Sequence, residues 1–126
     1  MKVLLVEDDA VNMNLLVELM RKWGHESHIA KNGLQAIIKV GREDYDLILM
    51  DLFMPIMGGL DATEIIRKEW QRTTPIIAVT AASFITDKAM CYAAGINEFI
   101  SKPFDAQKLQ ALVNEWGVKK VDLIAN

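Results

Sequence analysis

Asp46-Leu47-Ile48-Leu49-Met50-Asp51 is the stretch on which the fold turns. Four consecutive apolar side chains between two aspartates leave no polar face, the pattern of a parallel strand covered by helices on both sides. Working outward, Lys2-Val-Leu-Leu-Val6 has the same character, and a poorer strand is expected at 27–30. Downstream, Pro75-Ile-Ile-Ala-Val79 and a segment near 98–101 complete five strands. Between them the apolar residues recur at helical spacing. Val11, Leu15, Leu16, Leu19 and Met20 place a helix at 10–23, with Gly24 as its stop. Further helices are expected at 34–40, ending near Gly41, at 60–70 after Pro55 and Gly58-Gly59, at 83–94 before Gly95, and at 105–116, where Asp105 suits the N-cap. Strict alternation of strand and helix predicts a single doubly wound α/β domain, a five-stranded parallel sheet with helices on both faces.

The 126 residues fit one such domain, assigned to 1–117, with 118–126 as a tail or linker. A composition 52% hydrophobic and 25% charged is that of a globular chain, and no apolar run approaches the roughly 20 residues of a membrane span. The acids Glu7, Asp8 and Asp9 follow the first apolar stretch too soon for a secretory signal, so the expected address is the cytoplasm, and Met1 beside the first strand favours a natural or engineered start there. The lone Cys91 excludes an internal disulfide and is read as a small apolar helix residue. A net charge of -3, with fourteen scattered Lys and Arg, disfavours direct nucleic-acid binding.

In open α/β sheets the active crevice lies outside the carboxyl ends of the strands. Here those ends carry Glu7-Asp8-Asp9 after the first strand, Asp51 after the third, Thr80 after the fourth and Lys102 after the fifth. Each has a plain structural reading. Asp9 can cap the first helix, Asp51 can be a polar strand end, Thr80 can start a helix and Lys102 can be solvated. Together they suggest more. Converging carboxylates repel unless a hard divalent cation joins them, and an all-oxygen site favours Mg²⁺ over zinc. A hydroxyl and an ammonium beside them can stabilise a phosphoryl group. His25 and His28, three apart in or near a strand, point to opposite faces and do not suit a shared metal.

Val6-Glu-Asp-Asp9, Asp51-Leu-Phe-Met-Pro55, Gly58-Gly59, Thr80-Ala81 and Ser101-Lys-Pro-Phe104, in this order, resemble the response-regulator receiver family over almost the whole chain. The resemblance implies a flavodoxin-like strand order of 2-1-3-4-5. It implies that Asp51 is the nucleophile, that Glu7, Asp8, Asp51 and the Phe53 carbonyl hold Mg²⁺, and that Thr80 and Lys102 contact the phosphoryl group. Thr80 and Phe99 would form a switch, and the peptide before Pro103 would be cis. The phosphoryl donor would be a phosphohistidine of a sensor histidine kinase or histidine phosphotransfer protein, and the output would pass to a downstream effector protein. Such a chain catalyses its own phosphorylation and dephosphorylation but is primarily a signalling switch. Val11-Asn12 further resembles receivers joined to hybrid sensor kinases.

Three positions depart from the usual pattern: Glu7 replaces an aspartate, Phe99 lacks a phenolic hydroxyl, and Phe53 and Ala82 offer no polar side chain to orient water. Slow self-dephosphorylation is therefore expected. Phe99 can equally be an ordinary core residue. A nucleotide-binding protein would need a glycine-rich loop where Glu7-Asp8-Asp9 stand, and an aspartate-based phosphatase a second acid where Phe53 stands. The remaining alternative is a receiver-like interaction module that acts without phosphorylation.

Overall fold

The computed structural model describes residues 1–81 and 88–125, with side chains through residue 117. Ala82 and the first part of the expected fourth helix, 83–87, lie outside the described residues. The elements run β1 (Lys2–Val6), α1 (Ala10–Lys22), β2 (Glu26–Ala30), α2 (Gly33–Arg42), β3 (Leu47–Met50), α3 (Gly59–Lys68), β4 (Ile76–Ala81), α4 (Lys88–Ala94), β5 (Glu98–Lys102) and α5 (Ala106–Ala125). The sheet is parallel in the order β2-β1-β3-β4-β5, the expected doubly wound arrangement.

Strand alternation divides the interior into two layers. Leu4, Val6, Ile48, Met50, Ile76 and Ala78 pack with Ala36, Val40, Ala62, Ile66 and Cys91 of α2, α3 and α4. Val3, Leu5, Leu47, Leu49, Ile77 and Val79 pack with Leu16, Met20, Leu109 and Val113 of α1 and α5. All four β3 side chains are buried. At about 1.5–3 kcal/mol for each large apolar side chain, this strand anchors the residue that follows it.

Register brings the strand ends together. Val6 pairs with Met50, and Met50 with Ala78, so Glu7 and Asp51 leave the sheet side by side. Thr80 pairs with Ser101 and Ala81 with Lys102. The Asp51 amide extends the ladder by donating to Val6 O at 3.0 Å.

α2 ends at Arg42, near Gly41 as expected, and Gly41 makes room for the Trp70 ring, which lies 2.8 Å from where an added Cβ would stand. Trp70 itself lies beyond the end of α3. Contrary to expectation, α5 does not end at Trp116. Its backbone continues through Gly117 to Ala125, with the Met1 thioether 2.6 Å from where a Gly117 Cβ would stand. No helix among the described residues is long and apolar enough to cross a membrane.

Asp9 is an N-cap, accepting from the Asn12 amide at 2.9 Å. Asp9→Ala is expected to cost about 1 kcal/mol in urea denaturation, with Asp9→Asn close to the parent and neither changing Mg²⁺ affinity. A large loss of Mg²⁺ affinity in Asp9→Asn would instead place Asp9 in the site.

Candidate active site

Glu7 is 2% exposed, held at the end of β1 by its amide bond to Ala30 O at 3.0 Å. Asp51, 6% exposed, follows β3. Lys102, from the end of β5, reaches across the carboxyl edge and donates to both, at 2.5 Å to Glu7 Oε1 and 3.2 Å to Asp51 Oδ2. The other Asp51 oxygen, Oδ1, accepts from the Phe53 amide at 3.1 Å. Asp8 is exposed beside them, and one oxygen from each of Glu7, Asp8 and Asp51 lies within 4.8 Å of the others. Glu7 Oε2 is buried and has no hydrogen-bond partner among the described residues.

The structure thus brings Glu7, Asp8, Asp51 and Lys102 together and joins Phe53 to them through its backbone, its ring being exposed. Thr80 is 1% exposed at the same sheet edge. Phe99 stands apart from the acids. It packs on the core and meets Tyr92 of α4 edge to face, ring centroids 5.2 Å apart. The Lys102–Pro103 peptide is cis.

Sequence reasoning assigned Lys102 to the phosphoryl group and missed its bond to Glu7, since no local pattern joins residues 95 apart. It also read Gly58-Gly59 only as a turn. Gly59 is a close-approach residue: an added Cβ would lie 2.3 Å from Asp51 O and 2.9 Å from Leu52 Cα. The start of α3 therefore packs directly on the backbone of the acid loop, and the signal for it was the doubled glycine.

The sequence profile described as the response regulator receiver domain matches residues 3–114. The chain belongs to the response regulator receiver family. Hybrid signal transduction histidine kinase G of Dictyostelium discoideum is 40% identical over 93% of this chain and 4% of its own length. The chain spans between 4% and 27% of the length of the curated relatives it matches. Among solved structures, the receiver domain of the sensor histidine kinase PA1611 from Pseudomonas aeruginosa is 38% identical with a TM-score of 0.83, covering 92% of this chain and 96% of that one; that receiver has a magnesium ion coordinated in its active-site cleft. The Saccharomyces cerevisiae Ssk1 receiver, solved with the phosphotransfer protein Ypd1, is similar at 30% identity and a TM-score of 0.83, covering 94% of this chain and 89% of that one.

The electrostatics of this receiver cleft are unbalanced, with three carboxylates facing one ammonium. At their separation two carboxylates repel by roughly 3–4 kcal/mol at an effective dielectric near 20. Burial, then the neighbouring Asp51 carboxylate, pushes the Glu7 carboxyl up to about 7, against the opposing pull of Lys102. Burial alone would lower the Lys102 ammonium, but the Glu7 hydrogen bond and the two carboxylate charges outweigh it and hold it above its usual value. An all-oxygen donor set, excess negative charge and an unpartnered buried oxygen fit a hard divalent cation such as Mg²⁺. Zinc, which seeks nitrogen and sulfur, suits them less.

A raised carboxyl pKa means that the folded receiver favours the protonated acid. The Glu7 contribution to stability is therefore fully present below pH 4.5 and is lost as pH rises through about 7, by on the order of 3 kcal/mol. In metal-free buffer, Glu7→Gln is expected to gain stability over the parent between pH 5 and 8. Mg²⁺ should stabilise the parent more than the variant. Urea denaturation at both pH values, with and without Mg²⁺, checks this, and an advantage that shrinks toward pH 8 would contradict it.

Proposed function

We propose that Asp51 accepts a phosphoryl group from a phosphohistidine of a sensor histidine kinase or histidine phosphotransfer protein, and that this switches a surface read by a downstream effector. The observation that carries the reading is the Asp51 carboxylate itself, buried beside Glu7 and Asp8 with one oxygen on Lys102 and the other on the Phe53 amide.

In the proposed reaction an Asp51 carboxylate oxygen attacks phosphorus and forms an acyl phosphate while the P–N bond to histidine breaks. The bonding pair returns to the imidazole, which takes up a proton. The Phe53 amide aims the carboxylate, Lys102 shifts its bonds toward the transferred oxygens, and the Thr80 hydroxyl donates to one of them. Glu7, Asp8, Asp51 and the Phe53 carbonyl would hold Mg²⁺, which would neutralise charge on the phosphoryl oxygens. Drawing Thr80 inward would change the packing available to Phe99 and hence its contact with α4. We place the receiver unit at 1–117, with 118–126, into which the α5 backbone runs as far as Ala125, as a tail or linker. Because phosphohistidine is made from ATP by a kinase, the reading places the protein in the cytoplasm.

Docking of the donor is supported by apolar side chains left exposed around the carboxyl edge. Val11 at the start of α1 is 75% exposed, and Ile56 in the loop after β3 is 79% exposed. Ile56 also holds φ at +71°, a conformation that a β-branched residue adopts only at a cost of about 1–3 kcal/mol. Val11→Asp and Ile56→Asp are expected to slow transfer from a phosphohistidine protein about tenfold or more while leaving phosphorylation by a small phosphodonor unchanged. Equal effects on both donors would remove these residues from the docking surface.

Incubation with phosphoramidate and Mg²⁺, followed by intact mass, tests the central assignment. One phosphoryl group is expected on the parent and none on Asp51→Asn; a parent that takes up none would favour an interaction module that works without phosphorylation. With the apolar Phe53 side chain beside the acyl phosphate, the adduct should persist well beyond seconds without a phosphatase. Loss within seconds would overturn that expectation.

A further inference from the structure

Arg67, in the last turn of α3, sits at the end of the sheet opposite the acids. A guanidinium has five N–H groups, and all five here are used. Nε and Nη2 donate to Gly95 O at 3.2 and 2.9 Å, Nη1 donates to Arg72 O at 2.9 Å and Thr74 O at 2.8 Å, and Nη2 donates to Asn97 Oδ1 at 2.8 Å. Every acceptor is a carbonyl oxygen. Gly95, with φ at +113°, has no room for a side chain, since an added Cβ would stand 2.6 Å from Arg67 Cγ. The turn into β5 is built around this one side chain.

The same Asn97 Oδ1 also accepts from the Ile76 amide at 2.8 Å, while the Asn97 amide donates to Ile76 O at 2.9 Å. Ile76 opens β4 and Asn97 immediately precedes β5, so these bonds fix where the two strands begin to pair. β5 is an edge strand, paired only with β4. A slip of one residue would turn Phe99 and Lys102 to the opposite faces.

We propose that Arg67 is a positioning residue for the phosphoryl site, holding the register of β5 from its start so that Phe99 and Lys102 are presented correctly at its far end. The span from Asn97 to Lys102 is about 16 Å, so the effect travels along the strand. Its consequence for Lys102 rests on the reading of Asp51 as phosphoacceptor. Lysine cannot replace the arginine fully, because a single ammonium lacks the planar fork that meets acceptors from two loops, 72–74 and 95–97.

The test uses the full chain with Arg67→Lys and Arg67→Met, reading amide hydrogen exchange by NMR, Mg²⁺ affinity by calorimetry and phosphorylation by phosphoramidate. Protection of the β5 amides should fall about tenfold or more relative to those of β1 and β3, with Arg67→Lys intermediate. Phosphorylation should slow about tenfold without loss of Mg²⁺ affinity, because the proposed ligands follow β1 and β3 and a displaced Lys102 withdraws an ammonium that competes for Glu7 and Asp51. Unchanged exchange, or an equal loss of protection in β1, β3 and β5, would overturn the inference, the latter being ordinary destabilisation. If the parent takes no phosphoryl group, the reading of Asp51 fails, while the exchange pattern still decides whether Arg67 holds the register.

Discussion

One ammonium shared by two buried carboxylates is the constraint on which this receiver depends. Lys102 bonds Glu7 and Asp51 and so ties the ends of β1, β3 and β5 across one edge of the sheet. A lone buried carboxylate would simply protonate, and two would do so more readily. The cation permits both to sit where β1 and β3 end side by side. It does not complete the balance, since Asp8 adds a third acid and Glu7 keeps an oxygen without a partner among the described residues. That residual charge makes the cleft receptive to a divalent cation.

Such a site is tolerable only on a rigid support. β3 buries all four of its side chains, and the Asp51 amide continues its ladder by bonding Val6 O. Gly59 then lets the first turn of α3 close on the acid loop at backbone contact. The unfavourable electrostatics are thus opposed by apolar burial directly beneath and by close packing directly behind. Conversely, the charged cleft adds little to stability itself, because its desolvation offsets much of the attraction.

The sheet was legible because its central strands are apolar on both faces, and the site because its polar residues stand at or just beyond the carboxyl ends of the strands. Asp9 and Asp105 were legible as caps from position alone. The last helix was read as ending at Trp116, and the packing of Gly41 and Gly117 was hidden, because Trp70 and Met1, which fill their missing Cβ positions, are distant in sequence. The Glu7–Lys102 bond was hidden by the same non-locality. Arg67 left no sequence signal beyond a basic residue near a helix end, which the helix dipole explains adequately. Its partners are mostly backbone carbonyls, and turn carbonyls carry no side-chain signature.

Whether a change at Asp51 can move the surface near α4 is a question of magnitudes. The edge-to-face contact of Phe99 with Tyr92 is of a kind worth about 0.5–1.5 kcal/mol beyond its buried area. A phosphoryl group brings a charge of about -1.5 to -2 into a cleft where neighbouring charges already interact at several kcal/mol. A transferred fraction of that energy, about 1.4 kcal/mol, shifts a two-state equilibrium tenfold and is comparable to the aromatic contact it must overcome. Such a coupling would need no hydroxyl on Phe99: its ring lies between the core and the half-exposed Tyr92, so the coupling would be one of packing.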